Sequence, residues 1–274
     1  MMETEPVSEV RRLDGATLSF NVRGTGRDVL FVSGLGGNAS VWDRVVASIG
    51  GKCRSITFDQ RGIGKSTRGT SKISTDTLAE DGWRILDKIG EGRPILVGHS
   101  MGGAIVQAMQ KQRPDQAAGL VISGSWAGPN RFMTALFRMR LDLLEKSPQA
   151  YASCVMLMAY PADWLNDNWD VYENASRQAP ESSQARLIIR ERTEALLAHD
   201  LRRDLPNMKV PALVIGSADD QVVPSFLQDE LIKSLPTSQA HRFEGGGHGF
   251  TETRPEAFSR CLESWMAGLD TYSV

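Results

Sequence analysis

Apolar residues recur along this chain with two different periods. Five short apolar-rich runs, Val29–Val32, Arg54–Phe58, Ile95–Val97, Leu120–Ile122 and Ala212–Ile215, each give way at once to Gly, Ser or Asp. Runs of that length closed by turn formers predict strands buried on both faces. Between them the apolar positions fall three and four apart, in Val41–Ile49, in Thr77–Ile89 with its stripe of Leu78, Ile85, Leu86 and Ile89, and in Ile105–Gln112. That spacing predicts amphipathic helices. Ahead of them, Val10–Leu13 and Thr17–Val22 flank Asp14-Gly15, a hairpin turn signal. Strands alternating with helices argue a mostly parallel sheet covered by helices on both faces, an α/β fold.

The alternation stops at about residue 127 and resumes at about 206. The interval reads as helical throughout, with helical apolar spacing from Arg131 to Leu144, Ser153 to Tyr160 and Gln184 to Leu197. A helical insertion between two late strands reads as a cap over their carboxyl ends. Residues 1–126 and 206–274 then form the core and 127–205 the cap. After Pro211 the pattern resumes, with a further strand ending at Ala240–Phe243 and helices at Ser225–Leu235 and Pro255–Leu269.

Length and composition fit this picture. The 274 residues are 41% hydrophobic and 23% charged, which excludes a disordered or fibrous chain. A net charge of −2 gives no footprint for nucleic acid or an anionic membrane. Three scattered cysteines, Cys53, Cys154 and Cys261, suit a reducing compartment, and no Cys/His spacing suggests a metal site. Met1 to Pro6 lacks the order of a signal peptide, and no apolar run approaches the roughly 18 residues of a membrane span. The expectation is a soluble cytoplasmic protein, monomer or homodimer, acting on a small molecule.

The strongest chemical signal is Gly98-His99-Ser100-Met101-Gly102, a G-x-S-x-G between a predicted strand and a predicted helix. In that context the turn strains the serine and exposes its Oγ. A serine hydroxyl needs a base and a group to orient that base. Downstream stand Asp219-Asp220 in Ala218–Pro224, then His248 within Gly245-Gly246-Gly247-His248-Gly249. His199 and His241 lie in polar, arginine-containing contexts and read as surface histidines. His99, adjacent to Ser100, reads as structural. Two imitations fail. Gly64-Lys65-Ser66 ends like a P-loop, but the required first glycine falls on Asp59. Gly34–Ala39 imitates a dinucleotide-binding turn, yet that reading leaves Ser100, the acid pair and His248 as unrelated accidents.

These segments together resemble an α/β-hydrolase-fold enzyme over nearly the whole chain outside the cap. The resemblance implies a Ser100–His248–Asp220 triad, because the family's acid stands four residues before a proline. It implies oxyanion-hole amides at Leu35 and Met101, in a Ser33–Gly37 loop where His-Gly is commoner than Ser33-Gly34. Asp59–Ser66 resembles the family's D-x-R-G-x-G-x-S loop, read as architectural with Asp59 and Arg61 able to pair. No metal or organic cofactor is implied. Ser33–Gly37, Asp59–Gly62 and Tyr160–Trp164 are similar to the aminoacrylate hydrolase branch, and enol-lactone hydrolases and carboxylesterases share many of the same features.

The expected reaction is cleavage of a small ester, lactone or related acyl bond. A C–C bond hydrolase of ring-cleavage products and a ligand receptor without turnover are the alternatives. Trp126, Met156 and Trp164 are the candidates for substrate contact, within a wider apolar set of Phe132, Phe137, Met139, Met158 and Trp169 that equally reads as cap packing. Arg131, Arg138 and Arg140 read as a solvated helix face, with receipt of a substrate carboxylate as the other reading.

Overall fold

The computed structural model describes residues 8–271, so the lead from Met1 to Pro6 lies outside the described residues. Its strands are β1 (Ser8–Arg11), β2 (Thr17–Arg23), β3 (Asp28–Val32), β4 (Arg54–Phe58), β5 (Ile95–His99), β6 (Gly119–Ser123), β7 (Ala212–Ser217) and β8 (Ser238–Phe243). They form one sheet in the order β1-β2-β4-β3-β5-β6-β7-β8. The β1–β2 and β2–β4 pairings are antiparallel and the rest parallel.

The continuous apolar runs follow from burial on both faces. Leu30 and Val32 of β3, Leu96 of β5, Leu120 and Ile122 of β6 and Val214 of β7 enter one core. Val29 and Phe31, Ile95 and Val97, Val121, and Leu213 and Ile215 enter the other. Alternate residues of a strand point to opposite faces, so a strand covered on both sides has no polar period to show. Strand β8 is the exception, exposed through most of its length at the sheet edge.

Helices α1 (Asp43–Ile49) and α11 (Pro255–Thr271) contact each other. The second core joins Val45 and Ile49 of α1 to Phe258 and Leu262 of α11. Helices α2 (Thr75–Ile89), α3 (Met101–Gln112) and α9 (Ser225–Ser234) supply the first core. A four-residue helix, α10 (Phe250–Thr253), precedes α11.

Between β6 and β7 the chain forms α4 (Arg131–Lys146), α5 (Pro148–Ala159), α6 (Ala162–Asp167), α7 (Trp169–Arg177) and α8 (Ser183–Ala198). Asn130 caps α4 by accepting from the Met133 amide, and Ser147 caps α5 by accepting from Ala150, with Pro148 in the first turn. That cap and proline begin α5 five residues ahead of the apolar spacing that predicted it. No helix among the described residues is long and apolar enough to cross a membrane.

Candidate active site

Ser100 sits between β5 and α3 at φ 56°, ψ −122°, and no other non-glycine among the described residues has a positive φ. Holding an L-residue there costs about 1–3 kcal/mol, which the surrounding packing must supply. That packing is close enough to exclude side chains. A Cβ on Gly98 would lie 2.1 Å from the Gly102 carbonyl oxygen, and one on Gly102 would lie 2.0 Å from that of Val32. The Ser100 amide donates to the Ser123 carbonyl at 2.8 Å, pinning the turn to β6.

Asp219 and Asp220 follow β7 and divide two tasks. Asp220 Oδ2 lies 2.8 Å from His248 Nδ1, while its Oδ1 accepts from the amides of Val222 and Val223, each at 2.8 Å. Both carboxylate oxygens are thus fixed, and the side chain is fully buried. Asp219 turns to the glycine loop instead. Its Oδ1 accepts from the Gly247 amide at 2.9 Å and the Ser217 hydroxyl at 2.5 Å, and its Oδ2 from Gly246 at 3.1 Å. Burial alone would raise the Asp219 carboxyl, but those donors outweigh it and hold the group below the usual carboxylate range. Gly247 has φ 66°, and a Cβ on it would meet the Ala159 carbonyl oxygen at 2.5 Å. The glycine therefore lets the loop carrying His248 run against the end of α5.

His99 lies beneath His248, ring centroids 4.9 Å apart, with its Nδ1 3.0 Å from the Ser123 hydroxyl. Burial, and then the nearby His248, push its pKa well below the ordinary histidine value. A neutral imidazole there adds no charge to oppose one forming on His248.

Ser100 and His248 open onto one cavity of about 390 Å³, shared with Gly34 and Leu35 of the β3–α1 loop. The Leu35 amide forms no hydrogen bond among the described residues, and Met101 opens α3, ahead of its first intrahelical bond. Ser33 supports this loop by donating its hydroxyl to the Asn38 carbonyl at 2.8 Å.

The inserted helices complete the wall. Met156 lines the cavity, as do Phe137, Tyr151 and Tyr160. Trp126 and Trp164 do not line it. Trp126 is fully buried at the end of β6, its ring edge-on to His199, and is held by packing in the sheet core. Trp164 stacks on Tyr160, ring centroids 4.9 Å apart, and it is Tyr160 that lines the wall. Phe132, Met139 and Trp169 are exposed.

Three further expectations are corrected. Asp59 and Arg61 do not pair: Asp59 accepts from the amides of Ala39 and Lys65, whereas Arg61 makes a bidentate ion pair with Asp81 and a third bond to Asp14, all at 2.6 Å. His199 is buried, not superficial. Of the three α4 arginines, Arg131 and Arg138 are exposed but Arg140 is buried.

Sequence reasoning passed over Arg192. From α8 it reaches under the Ser33–Gly37 loop, Nε donating to the Leu35 carbonyl at 2.6 Å and Nη2 to Gln60 Oε1 at 2.5 Å and to the Gly34 carbonyl at 3.2 Å. Gln60 donates in turn to the Ser33 carbonyl at 2.5 Å. Burial lowers the Arg192 pKa to about 10, so the side chain stays charged near neutrality. Glu252 was also missed, and Tyr160 entered only as the first residue of the Tyr160–Trp164 segment. The Tyr160 hydroxyl donates to Glu252 Oε1 at 2.9 Å on the cavity wall, where burial pushes the Glu252 carboxyl up. Gln60 had a signal, since it falls inside the Asp59–Ser66 motif. Arg192 lies among arginines and glutamates of an ordinary amphipathic helix, and nothing in its neighbours sets it apart.

Comparison with known proteins agrees with this architecture. The family model for the alpha/beta hydrolase fold matches residues 29–255. Relatives named "Putative carbamate hydrolase RutD" occur in Caulobacter sp. strain K31, 33% identical over 247 residues covering 88% of this chain and 90% of the relative. One in Variovorax paradoxus strain S110 is 32% identical over 268 residues, covering 94% and 98%. Among solved structures, an alpha/beta hydrolase from a Medee basin deep-sea metagenome library superposes with a TM-score of 0.88 at 18% identity, covering 95% of this chain and 97% of that one. The enol-lactonase from Burkholderia xenovorans LB400 superposes with a TM-score of 0.84 at 21% identity, covering 96% and 100%. At those identities the two structures speak to the fold alone. The family model and the relatives, each spanning most of the sequence, make the chain an enzyme of the alpha/beta hydrolase fold family.

Proposed function

We propose that the chain is a cofactor-independent serine hydrolase that cleaves a small ester, lactone or related acyl bond through Ser100, His248 and Asp220. The observation that carries this reading is the 2.8 Å contact of His248 Nδ1 with a fully fixed Asp220, on the cavity that also holds the strained Ser100. An Nδ1–H donated to that carboxylate leaves Nε2 bare as a base. His248 then takes the Ser100 proton as Oγ bonds to the substrate carbonyl carbon. The carbonyl electron pair moves to oxygen, and the Leu35 and Met101 amides stabilise that oxyanion. Collapse expels the leaving group, which receives the proton from His248. Water, deprotonated by His248, attacks the acyl-enzyme and frees Ser100. The inserted helices act as a cap that closes the site over the substrate.

Every proton in this cycle passes through His248, so the chemistry needs no metal or organic cofactor. The carbamate in the relatives' name is itself an acyl bond open to the same attack. The test is turnover of a panel of short esters, lactones and carbamates by wild type and Ser100→Ala, with and without a chelator. Loss of a triad nucleophile costs up to about 10⁶ in kcat, and chelation leaves the wild type unchanged. A variant retaining activity within about tenfold of wild type overturns the reading.

A further inference from the structure

The hydrolytic cycle leaves a buried cation on the cavity wall unused. Arg140 faces the cavity from α4 and is 5% exposed. Its Nε and Nη2 are buried without a hydrogen-bond partner, and it forms no ion pair among the described residues. The other buried arginines are hydrogen-bonded: Arg61 has Asp81 and Asp14, and Arg192, which also lacks an ion pair among the described residues and leaves Nη1 unpartnered, gives Nε and Nη2 to the carbonyls of Leu35 and Gly34 and to Gln60. The Phe137 ring, 5.2 Å from the Arg140 guanidinium carbon, attracts a cation but accepts no strong hydrogen bond. Tyr151 of α5 lines the same wall and lies within the electrostatic reach of Arg140.

A guanidinium cannot shed its charge, and burying one without a counter-charge is strongly unfavourable. Glu252, the cavity's carboxyl group, is engaged by Tyr160 and makes no ion pair with Arg140. An anionic group on the ligand would supply both the counter-charge and the hydrogen bonds that Nε and Nη2 lack. The planar fork of a guanidinium matches a carboxylate through two parallel hydrogen bonds. A cavity of about 390 Å³ has room for such a group besides the acyl carbon at Ser100.

We propose that Arg140 is a specificity residue that binds a carboxylate of the substrate, separate from the carbonyl that Ser100 attacks. The substrate class is then an acyl compound bearing a free acid, such as the half-ester or lactone of a short dicarboxylic acid. This rests on the hydrolase reading of Ser100, so the experiment separates the two.

Monomethyl succinate, monomethyl glutarate and monomethyl adipate are each compared with the isostere in which a primary amide replaces the free acid. Wild type is expected to favour at least one half-ester by about 10²-fold in kcat/KM, and Arg140→Gln to bring that ratio to within about threefold of one. Equal rates within every pair in wild type, or an unchanged ratio in Arg140→Gln, overturn the assignment. In parallel, calorimetry with succinate, glutarate and adipate on Ser100→Ala reads binding without turnover. Binding that disappears in the Ser100→Ala/Arg140→Gln double variant supports Arg140 even if no ester is cleaved, a result that would remove the hydrolase reading alone. Absence of binding by all three acids overturns the role of Arg140. Should Arg140→Gln fail to fold, the wild-type ratios and the Ser100→Ala calorimetry decide by themselves.

Discussion

Two adjacent aspartates with opposite assignments set the finest test of the site. Asp220 grips His248, and Asp219 grips the glycine loop that carries it. Asp220→Asn keeps the shape but loses the carboxylate that selects the Nδ1–H tautomer, and kcat should fall on the order of 10⁴-fold. Asp219→Asn weakens bonds to Gly246, Gly247 and Ser217, so it should lower stability by about 1 kcal/mol with a much smaller loss of rate. Parallel kinetics and urea unfolding on both variants check this, and equal rate losses would contradict the division. At this scale the sequence was partly legible. Ser100 and His248 stood out because a strained turn and a close loop require glycines around them, and glycine is visible in sequence. Arg140 was not legible as a buried group, since Arg131, Arg138 and Arg140 differ only in how α4 is rotated against its neighbours.

The arrangement of elements couples the inserted helices to the Ser33–Gly37 loop, whose Leu35 amide is the proposed oxyanion donor, through one side chain. Arg192 of α8 holds the carbonyls of Gly34 and Leu35, and so fixes where the Leu35 amide points. An oxyanion donor acts in the transition state and not on the ground-state carbonyl, so misplacing it lowers kcat without weakening substrate binding. Arg192→Leu should reduce kcat by about tenfold or more with KM little changed, measured on whichever ester the panel identifies. A rise in KM alone would mean that Arg192 serves the pocket and not the loop. The strands were readable because burial on both faces leaves unbroken apolar runs, as in Val29–Val32. The exposed edge strand β8 was readable only at its apolar end. Helices α6 and α7 were not separable in sequence, because the break between them is the single residue Asn168 and carries neither Gly nor Pro.

Over the whole molecule, acid sensitivity has identifiable sources in two buried histidines, His99 and His199, both held below the ordinary histidine pKa. His199 is buried against Trp126, and burial lowers its pKa from 6.5 to about 4, a shift that Lys111 deepens and Asp200 opposes. Between those values the unfolded chain binds a proton that the folded chain refuses, so this contribution is complete above pH 6.5 and is lost as the pH falls. Acidification from pH 7.5 to 5 should remove about 2 kcal/mol through this residue alone. His199→Gln should flatten the fall in urea midpoint over that range, and a slope equal to wild type would place the acid sensitivity elsewhere. The fold class was legible from element alternation alone, whereas the depth of His199 was not, because its polar sequence neighbours face outward while its ring turns in.

The claim on which the account depends is that Ser100 is an activated nucleophile, and intact-protein mass after treatment with a small fluorophosphonate tests it directly. One phosphonyl adduct on wild type and none on Ser100→Ala is the expected result. An unmodified wild type, or an equal adduct on the variant, would contradict the assignment of Ser100.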